Sequence, residues 1–145
     1  MAFNIRVYGI LINEDNEVLL SDERRLGQKF TKFPGGGLEL GEGIKDCLIR
    51  EFKEELEIAI EVGTLFYLTD FYQKSAFGKN DQIISVYYFV LTDQIHDIKT
   101  SKIAFDFSEE EVESHRWKKI EELKKEELTF PIDQLVAKML IDKNH

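Results

Sequence analysis

The chain has 145 residues, 43% of them hydrophobic and 12% aromatic, enough apolar material for one sizeable core, so the expectation is a single domain spanning 1–145. A net charge of -9 and a pI near 4.9 exclude a sequence-wide cationic field, and with it non-specific binding to nucleic acid or an anionic membrane; an anionic substrate needs a metal or a few local basic residues. A single cysteine, Cys47, rules out an intramolecular disulfide, and no basic-then-apolar leader or membrane-length apolar run is present, so the chain reads as soluble and cytoplasmic.

In chain order, Phe3 to Ile12 is β-branched and aromatic and ends at Asn13-Glu14-Asp15-Asn16, a turn cluster, after which Glu17-Val18-Leu19-Leu20 resumes; this predicts a β-hairpin. Ser21 to Lys32 is polar and holds Arg24, Arg25, Lys29 and Lys32, which reads as an exposed loop. The stretch FPGGGLELGEG follows, Phe33 to Gly43, and then Ile44, Leu48, Phe52 and Leu56 recur every four residues with Cys47 beside them, the spacing of a helix with one buried stripe starting near Gly43 or Ile44. Glu61 to Tyr72 and Ile83 to Leu91 are strand-like, joined by a loop from Lys74 to Asp81. Ser108 to Glu113 is acidic, His115-Arg116-Trp117 reads as a short strand, and Ile120 to Leu123 as a helical turn. Pro131 suits a first helical position, and Ile132, Leu135, Val136, Met139 and Leu140 follow at helical spacing. Strands plus two long helices, without repeats or a linker, point to one mixed α+β domain.

On a helix over Ile44 to Glu57, Glu51, Glu54 and Glu55 fall at i, i+3 and i+4 and share one face. Three like charges there repel, and the apolar stripe beside them makes ionisation costlier still, so a divalent cation is the natural partner. Carboxylate oxygens are hard ligands suited to Mg²⁺, which is commonly bound by a few carboxylates together with substrate phosphates. The glycines complement this, because a Gly-rich turn lets main-chain groups approach a metal or phosphate with no Cβ in the way. Set against this, a Glu-rich helix face is usually a solvated one. Two commoner glycine signatures fail: Gly36 and Gly41 have the separation of a phosphate-loop pair, but Glu42 replaces its lysine, and Gly-x-Gly-x-x-Gly breaks at Leu40.

The whole spacing is more specific. Gly36, Glu42 and the run Arg50-Glu51-Phe52-Lys53-Glu54-Glu55-Leu56-Glu57-Ile58 resemble the signature of the Nudix hydrolase family, Gly-x5-Glu-x7-Arg-Glu-U-x-Glu-Glu-x-Gly-U with U bulky and apolar, at eight of its nine specified positions. The lead-in Phe33 to Glu39 and the later Trp117 with Glu121-Glu122-Leu123 extend the resemblance over most of the chain. Glu57 departs, standing where the family has the glycine that helps end the helix, so the helix is expected to run on slightly or exit differently.

The resemblance implies an α/β/α sandwich, a mixed sheet between helices with the box on a strand-loop-helix element, and hydrolysis of a nucleoside diphosphate linked to another group or of a nucleoside triphosphate. It also implies that Glu51, Glu54 and Glu55, with the Gly36 carbonyl, hold Mg²⁺ or Mn²⁺. A small phosphorylated molecule is the expected partner, and dimers are common among such proteins. Arg50 is either a surface i,i+4 partner of Glu54 or a fork orienting Glu51, and the resemblance favours the fork. Glu42 either caps or steadies the helix or reaches an outer metal. The catalytic base is Glu51, with Glu109 to Glu113 as the alternative pool. Arg24 and Arg25, with Lys29 and Lys32, either meet a phosphate or ribose or simply solubilise a loop.

Phe71, Tyr72, Phe77, Tyr87, Phe105 and Phe107 are either base-stacking or core residues, His96, His115 and His145 show no ligand spacing, and Cys47 reads as a packing residue. A metal-dependent pyrophosphohydrolase therefore leads. A non-catalytic nucleotide-sensing module competes with it, although such modules tend to lose box carboxylates that are all present here. An interaction domain with an acidic helix would need the spacing to be accidental.

Overall fold

The β-branched and aromatic start of the chain forms β1 (Ala2–Leu11) in a computed structural model that describes residues 1–77 and 80–144. Gly78, Lys79 and His145 lie outside the described residues, and with them part of the expected 74–81 loop and the third histidine. The described residues fall into two compact units, 1–11 with 34–98 and 12–33 with 99–145.

The first unit holds β1, β4 (Gly35–Gly37), α1 (Ile44–Leu56), β5 (Glu61–Leu68) and β6 (Asp81–Leu91). Its sheet has the order β4-β1-β6-β5. β1 runs parallel to β6, from Ala2 opposite Asp81 to Leu11 opposite Val90, while β4 and β5 pair antiparallel, so the sheet is mixed. Helix α1 packs on it through Cys47, Leu48, Phe52 and Leu56, as the stripe predicts; Ile44, at the first turn, is instead partly exposed. Phe52 lies so close to β1 that a Cβ on Gly9 would come within 2.6 Å of its ring, so this helix-sheet distance requires glycine there. Burying Phe52 and Leu48 completely contributes about 2 kcal/mol each and fixes the height at which α1 carries its glutamates.

The second unit holds β2 (Glu17–Arg25), β3 (Gln28–Lys32), β7 (Glu113–Lys119) and α2 (Pro131–Lys143), with an antiparallel sheet in the order β3-β2-β7. Pro131 takes a first-turn position of α2, and Ile132, Val136, Ala137 and Leu140 are buried. A 3-10 turn follows β7 at Ile120–Glu122, where the sequence suggests a helical turn. The two mixed and antiparallel sheets and two helices make the arrangement α+β, as expected.

Three expectations are corrected. β1 and β2 are not a hairpin: they belong to different sheets, and the turn between them supports only an isolated bridge from Ile12 to Val18. Ser21 to Lys32 is not a loop but a tight β2-β3 hairpin turning at Leu26 and Gly27, both at positive φ (52° and 76°), the geometry whose twist matches paired strands. Its polar composition misleads because Ser21, Asp22, Thr31 and Lys32 are buried with partners: Lys32 Nζ lies 2.9 Å from Glu23, and Arg116 Nε donates to Asp22 at 2.8 Å. The strand predicted over 61–72 ends at Leu68. No helix among the described residues is long and apolar enough to cross a membrane.

Candidate active site

The glycine run forms β4, whose pairing with β1 is extended by Leu38 N–H donating to the Ile5 carbonyl at 2.9 Å. A Cβ on Gly36 would lie 2.5 Å from Glu51 Oε1 and 2.6 Å from its Cδ. The Glu51 carboxylate therefore rests directly on the Gly36 main chain, and no other residue type leaves it room. Glu51 is consequently half-buried, its side chain 12% exposed against 59% for Glu54, one turn on.

Arg50 is the hub of the first unit. Its Nε and Nη2 donate to Glu42 Oε2 and Oε1 at 2.9 and 2.8 Å, a bidentate pair. Nη2 also donates to the Gly37 carbonyl at 3.1 Å, tying helix to strand. Nη1 donates to Glu51 Oε1 at 3.1 Å and to Glu54 Oε2 at 3.2 Å, with Glu39 Oε1 at 3.7 Å. The two readings of Arg50 thus describe one group: a half-buried fork that holds Glu51 and is also the i,i+4 partner of Glu54.

Glu42 does not cap α1; the N-cap is Gly43, with extended backbone and no side-chain cap. Its carboxylate instead takes the guanidinium on one side and accepts from the Glu39 N–H at 2.9 Å on the other. Those bonds, Arg50 first, hold the Glu42 carboxyl down at about 2. The same pairing pushes the Arg50 guanidinium further up. Burial, and then the neighbouring Glu42 carboxylate, pushes the Cys47 thiol up to about 12, so Cys47 stays a protonated packing residue whose Sγ faces the Gly37 carbonyl at 3.5 Å. Glu39 and the Gly37 carbonyl are members of this cluster that the sequence reading did not single out; their only signal is their place in the box lead-in.

Helix α1 sets Glu51, Glu54 and the half-buried Glu55 at i, i+3 and i+4. Arg50 occupies one oxygen each of Glu51 and Glu54; among the described residues Glu51 Oε2 and Glu54 Oε1 accept no hydrogen bond. All-oxygen, anionic donors, two of them with an open oxygen at Glu51 Oε2 and Glu54 Oε1, are the chemistry a small divalent cation takes, so the residues present fit Mg²⁺ or Mn²⁺. The helix ends at Leu56: Glu57 adopts the left-handed conformation (φ 57°, ψ 33°) with its N–H on the Lys53 carbonyl at 3.1 Å, so it turns the chain where a glycine was expected and the helix does not run on.

Arg24 and Arg25 are in the second unit, at the end of β2. Arg24 Nη2 donates to the main-chain carbonyls of Ser108, Glu109 and Glu111 at 3.4, 2.6 and 2.8 Å. In the acidic run, Glu113 opens β7 and Glu109 to Glu111 are exposed. Tyr87 is core, fully buried and 5.2 Å from the Tyr8 ring, whereas Phe71 and Tyr72 are exposed and Phe77, Phe105 and Phe107 half-buried. His96 is exposed, and His115 is 5% exposed with Nε2 making no hydrogen bond among the described residues.

A family model described as NUDIX domain matches residues 2–139. Over 142 residues the chain is 30% identical to human "Nucleoside diphosphate-linked moiety X motif 6", covering 97% of this chain and 42% of that protein. It is 31% identical over 124 residues to "Nudix hydrolase 2" of Arabidopsis thaliana, covering 83% of this chain and 41% of that one. The chain thus spans less than half the length of these two relatives. Among solved structures, that of the E. coli ORF135 protein superposes with a TM-score of 0.72 at 19% identity, covering 99% of this chain and 92% of that one, a likeness of fold.

Proposed function

The chain belongs to the Nudix family, and on that premise we propose that it is a metal-dependent pyrophosphohydrolase acting on a nucleoside diphosphate derivative or a nucleoside triphosphate. The observation that carries the reading is the seat of Glu51: its carboxylate rests on Gly36, where a Cβ would clash at 2.5 Å, and is gripped by Arg50 at 3.1 Å. A solvated acidic face needs neither. The relatives' names, a nucleoside diphosphate-linked motif protein and a Nudix hydrolase, support the same substrate class. The family model's span over both compact units supports one Nudix domain over 1–145. The same reading takes the protein to be cytoplasmic and its partner to be a small phosphorylated molecule, without nucleic acid or membrane.

In this mechanism Glu51, Glu54 and Glu55, with the Gly36 carbonyl, would hold Mg²⁺ or Mn²⁺. When bound, the ion supplies charge screening for an anionic pyrophosphate and acidity for a water. Glu51 takes the proton of the attacking water at Oε2, the oxygen that Arg50 leaves open. Arg50 fixes Glu51 and Glu54 relative to each other and, through Gly37, relative to β4; Glu42 fixes Arg50. Glu109 to Glu113 are the alternative source of the base, and Arg24 and Arg25 meet the anionic side of the substrate.

The test is phosphate release from nucleoside triphosphates, ADP-ribose, nucleotide sugars and dinucleoside polyphosphates with Mg²⁺ or Mn²⁺, native against Glu54→Gln. Metal-dependent turnover that collapses in the variant is expected. Binding of one compound with turnover of none would instead mark a sensing module. Glu51→Gln with turnover intact would move the base to 109–113.

A further inference from the structure

The β2-β3 hairpin places Arg24 directly opposite Lys29, so two cations leave the same face of the sheet side by side. Like charges facing each other across strands repel, and contacts made to both of them offset that cost. Here the cover is the segment from Phe105 to Val112. Phe107 lies under the Arg24 guanidinium (5.3 Å to the ring centroid) and Phe105 under Lys29 Nζ (5.8 Å), the two rings meeting edge to face at 6.3 Å. Arg24 Nη2 holds three carbonyls of the segment, and the Arg24 N–H donates to the Val112 carbonyl at 2.9 Å. At its other end the Phe105 N–H donates at 3.2 Å to Asp22 Oδ2, which is itself anchored by Arg116.

This cover is not the most stable partner the pair could have. Phe105 sits at φ 57°, a left-handed conformation that a bulky side chain resists, so the docked segment is strained. The main-chain carbonyls are neutral acceptors, weaker for a guanidinium than an anionic oxygen. Moreover, both bidentate edges of a guanidinium include Nη2; Arg50 offers the Nε/Nη2 edge to Glu42 and Arg116 offers it to Asp22. In Arg24 that nitrogen is committed to the segment. A phosphate that took Arg24 in the same fork, with Lys29 beside it, would displace the three carbonyls. It would also repel Asp106, Glu109, Glu110 and Glu111, all exposed on the segment.

We propose that Arg24 and Lys29 form a phosphate-binding site masked by the 105–112 segment, which acts as a strap that an incoming phosphate releases. The inference deepens the reading of Arg24 as a residue for the anionic side of the substrate, and rests on it only for which phosphate compound is the natural ligand; its test needs no turnover.

The experiment follows hydrogen exchange of the 105–112 amides in the whole protein, without divalent metal, as inorganic pyrophosphate is titrated in against sodium chloride at matched ionic strength. With pyrophosphate the Phe105, Phe107 and Glu111 amides should exchange roughly tenfold faster, the factor that loss of charge-assisted bonds of this kind predicts. Chloride should leave them unchanged. Arg24→Gln should exchange fast without ligand and ignore pyrophosphate. The proposal is overturned by native amides indifferent to pyrophosphate, by an equal response to chloride, or by a variant as protected or as responsive as the native protein. The native titration stands on its own should the variant fold poorly. Because neither arm reads hydrolysis, its failure leaves the Glu54→Gln assay untouched, and loss of activity in that assay leaves the strap untouched.

Discussion

The Arg50 cluster of the first unit and the Asp22 cluster of the second are both arginine-carboxylate networks, yet their stoichiometries differ. Asp22 is fully buried and every lone pair is answered: Oδ1 accepts from Thr31 at 2.7 Å and from Arg116 Nη2 at 3.4 Å, Oδ2 from Arg116 Nε at 2.8 Å and from the Phe105 N–H at 3.2 Å. One anion meets one cation, a balance in which removing either partner is costly. Around Arg50 a single guanidinium faces Glu39, Glu42, Glu51 and Glu54, and carboxylate oxygens are left over. Negative charge that the fold gathers and does not neutralise is what a cation site needs. On the proposed reading, that excess, more than the presence of an ion pair, separates the candidate site from a structural cluster.

Removing each hub should therefore break different things. Arg50→Ala should lower kcat by about 10²–10³-fold, a loss of the size expected when a preorganised electrostatic contact goes, with a modest change in Tm. Gly36→Ala tests the same cluster from the other side: its Cβ would drive the Glu51 carboxylate off its seat, and displacement on the order of 1 Å should cost about 10²-fold in kcat while the protein stays folded. Asp22→Ala should do the reverse, leaving Arg116 without its buried partner at a cost of about 3–5 kcal/mol in urea unfolding. Turnover per folded molecule should survive. If Asp22→Ala abolished turnover in protein that remained folded, or Arg50→Ala unfolded the chain, the distinction between the clusters would fail.

His115, on β7, sharpens the comparison by pH. Burial first, and then the nearby Lys32 ammonium, pull its imidazolium down to about 4 from an ordinary 6.5. The unfolded chain therefore binds a proton between those values that the folded protein refuses, so this contribution is complete above pH 6.5 and is lost as pH falls toward 4. It amounts to about 3 kcal/mol at most. Glu42 loses its contribution only lower down, as pH falls from 4.5 toward 2. Urea unfolding from pH 7 to 4 should show the upper loss in the native protein and not in His115→Phe; an unchanged slope would remove the histidine from the account.

The Arg50 cluster was legible because its parts lie within one strand-loop-helix stretch, where i, i+3 and i+4 spacing decides which side chains meet. The glycine-glutamate contact follows from the same locality. The Asp22 cluster was not legible: its partners Thr31, Phe105 and Arg116 come from distant segments, and the polar residues 21–32 look like a solvated loop until β7 pairs with β2. The β1-β2 hairpin was misread for a related reason. A turn between two apolar runs fits a hairpin or a crossing between sheets equally well, and only the long parallel pairing of β1 with β6 decides. Arg24 shows the limit at a single residue, since sequence gives its charge and not the three carbonyls that occupy it.

The smallest effect concerns the edge of the Arg50 cluster. Glu57 holds the left-handed turn that ends α1, with its charge near the helix's negative end. A side chain in that conformation costs about 1 kcal/mol, and glycine would avoid both penalties, offset in part by the greater freedom of glycine in the unfolded chain. Glu57→Gly should therefore stabilise the protein by about 1 kcal/mol, read as a rise in Tm. Among the described residues Glu57 has no bond to Arg50, so its carboxylate lies outside the excess the guanidinium gathers, and kcat should not change. A gain in stability with kcat intact would confine the functional charge to the residues Arg50 touches, with Glu55 beside them on the helix. A fall in kcat would extend the cation site past the helix end, and the departure from the family's glycine would then be part of the chemistry.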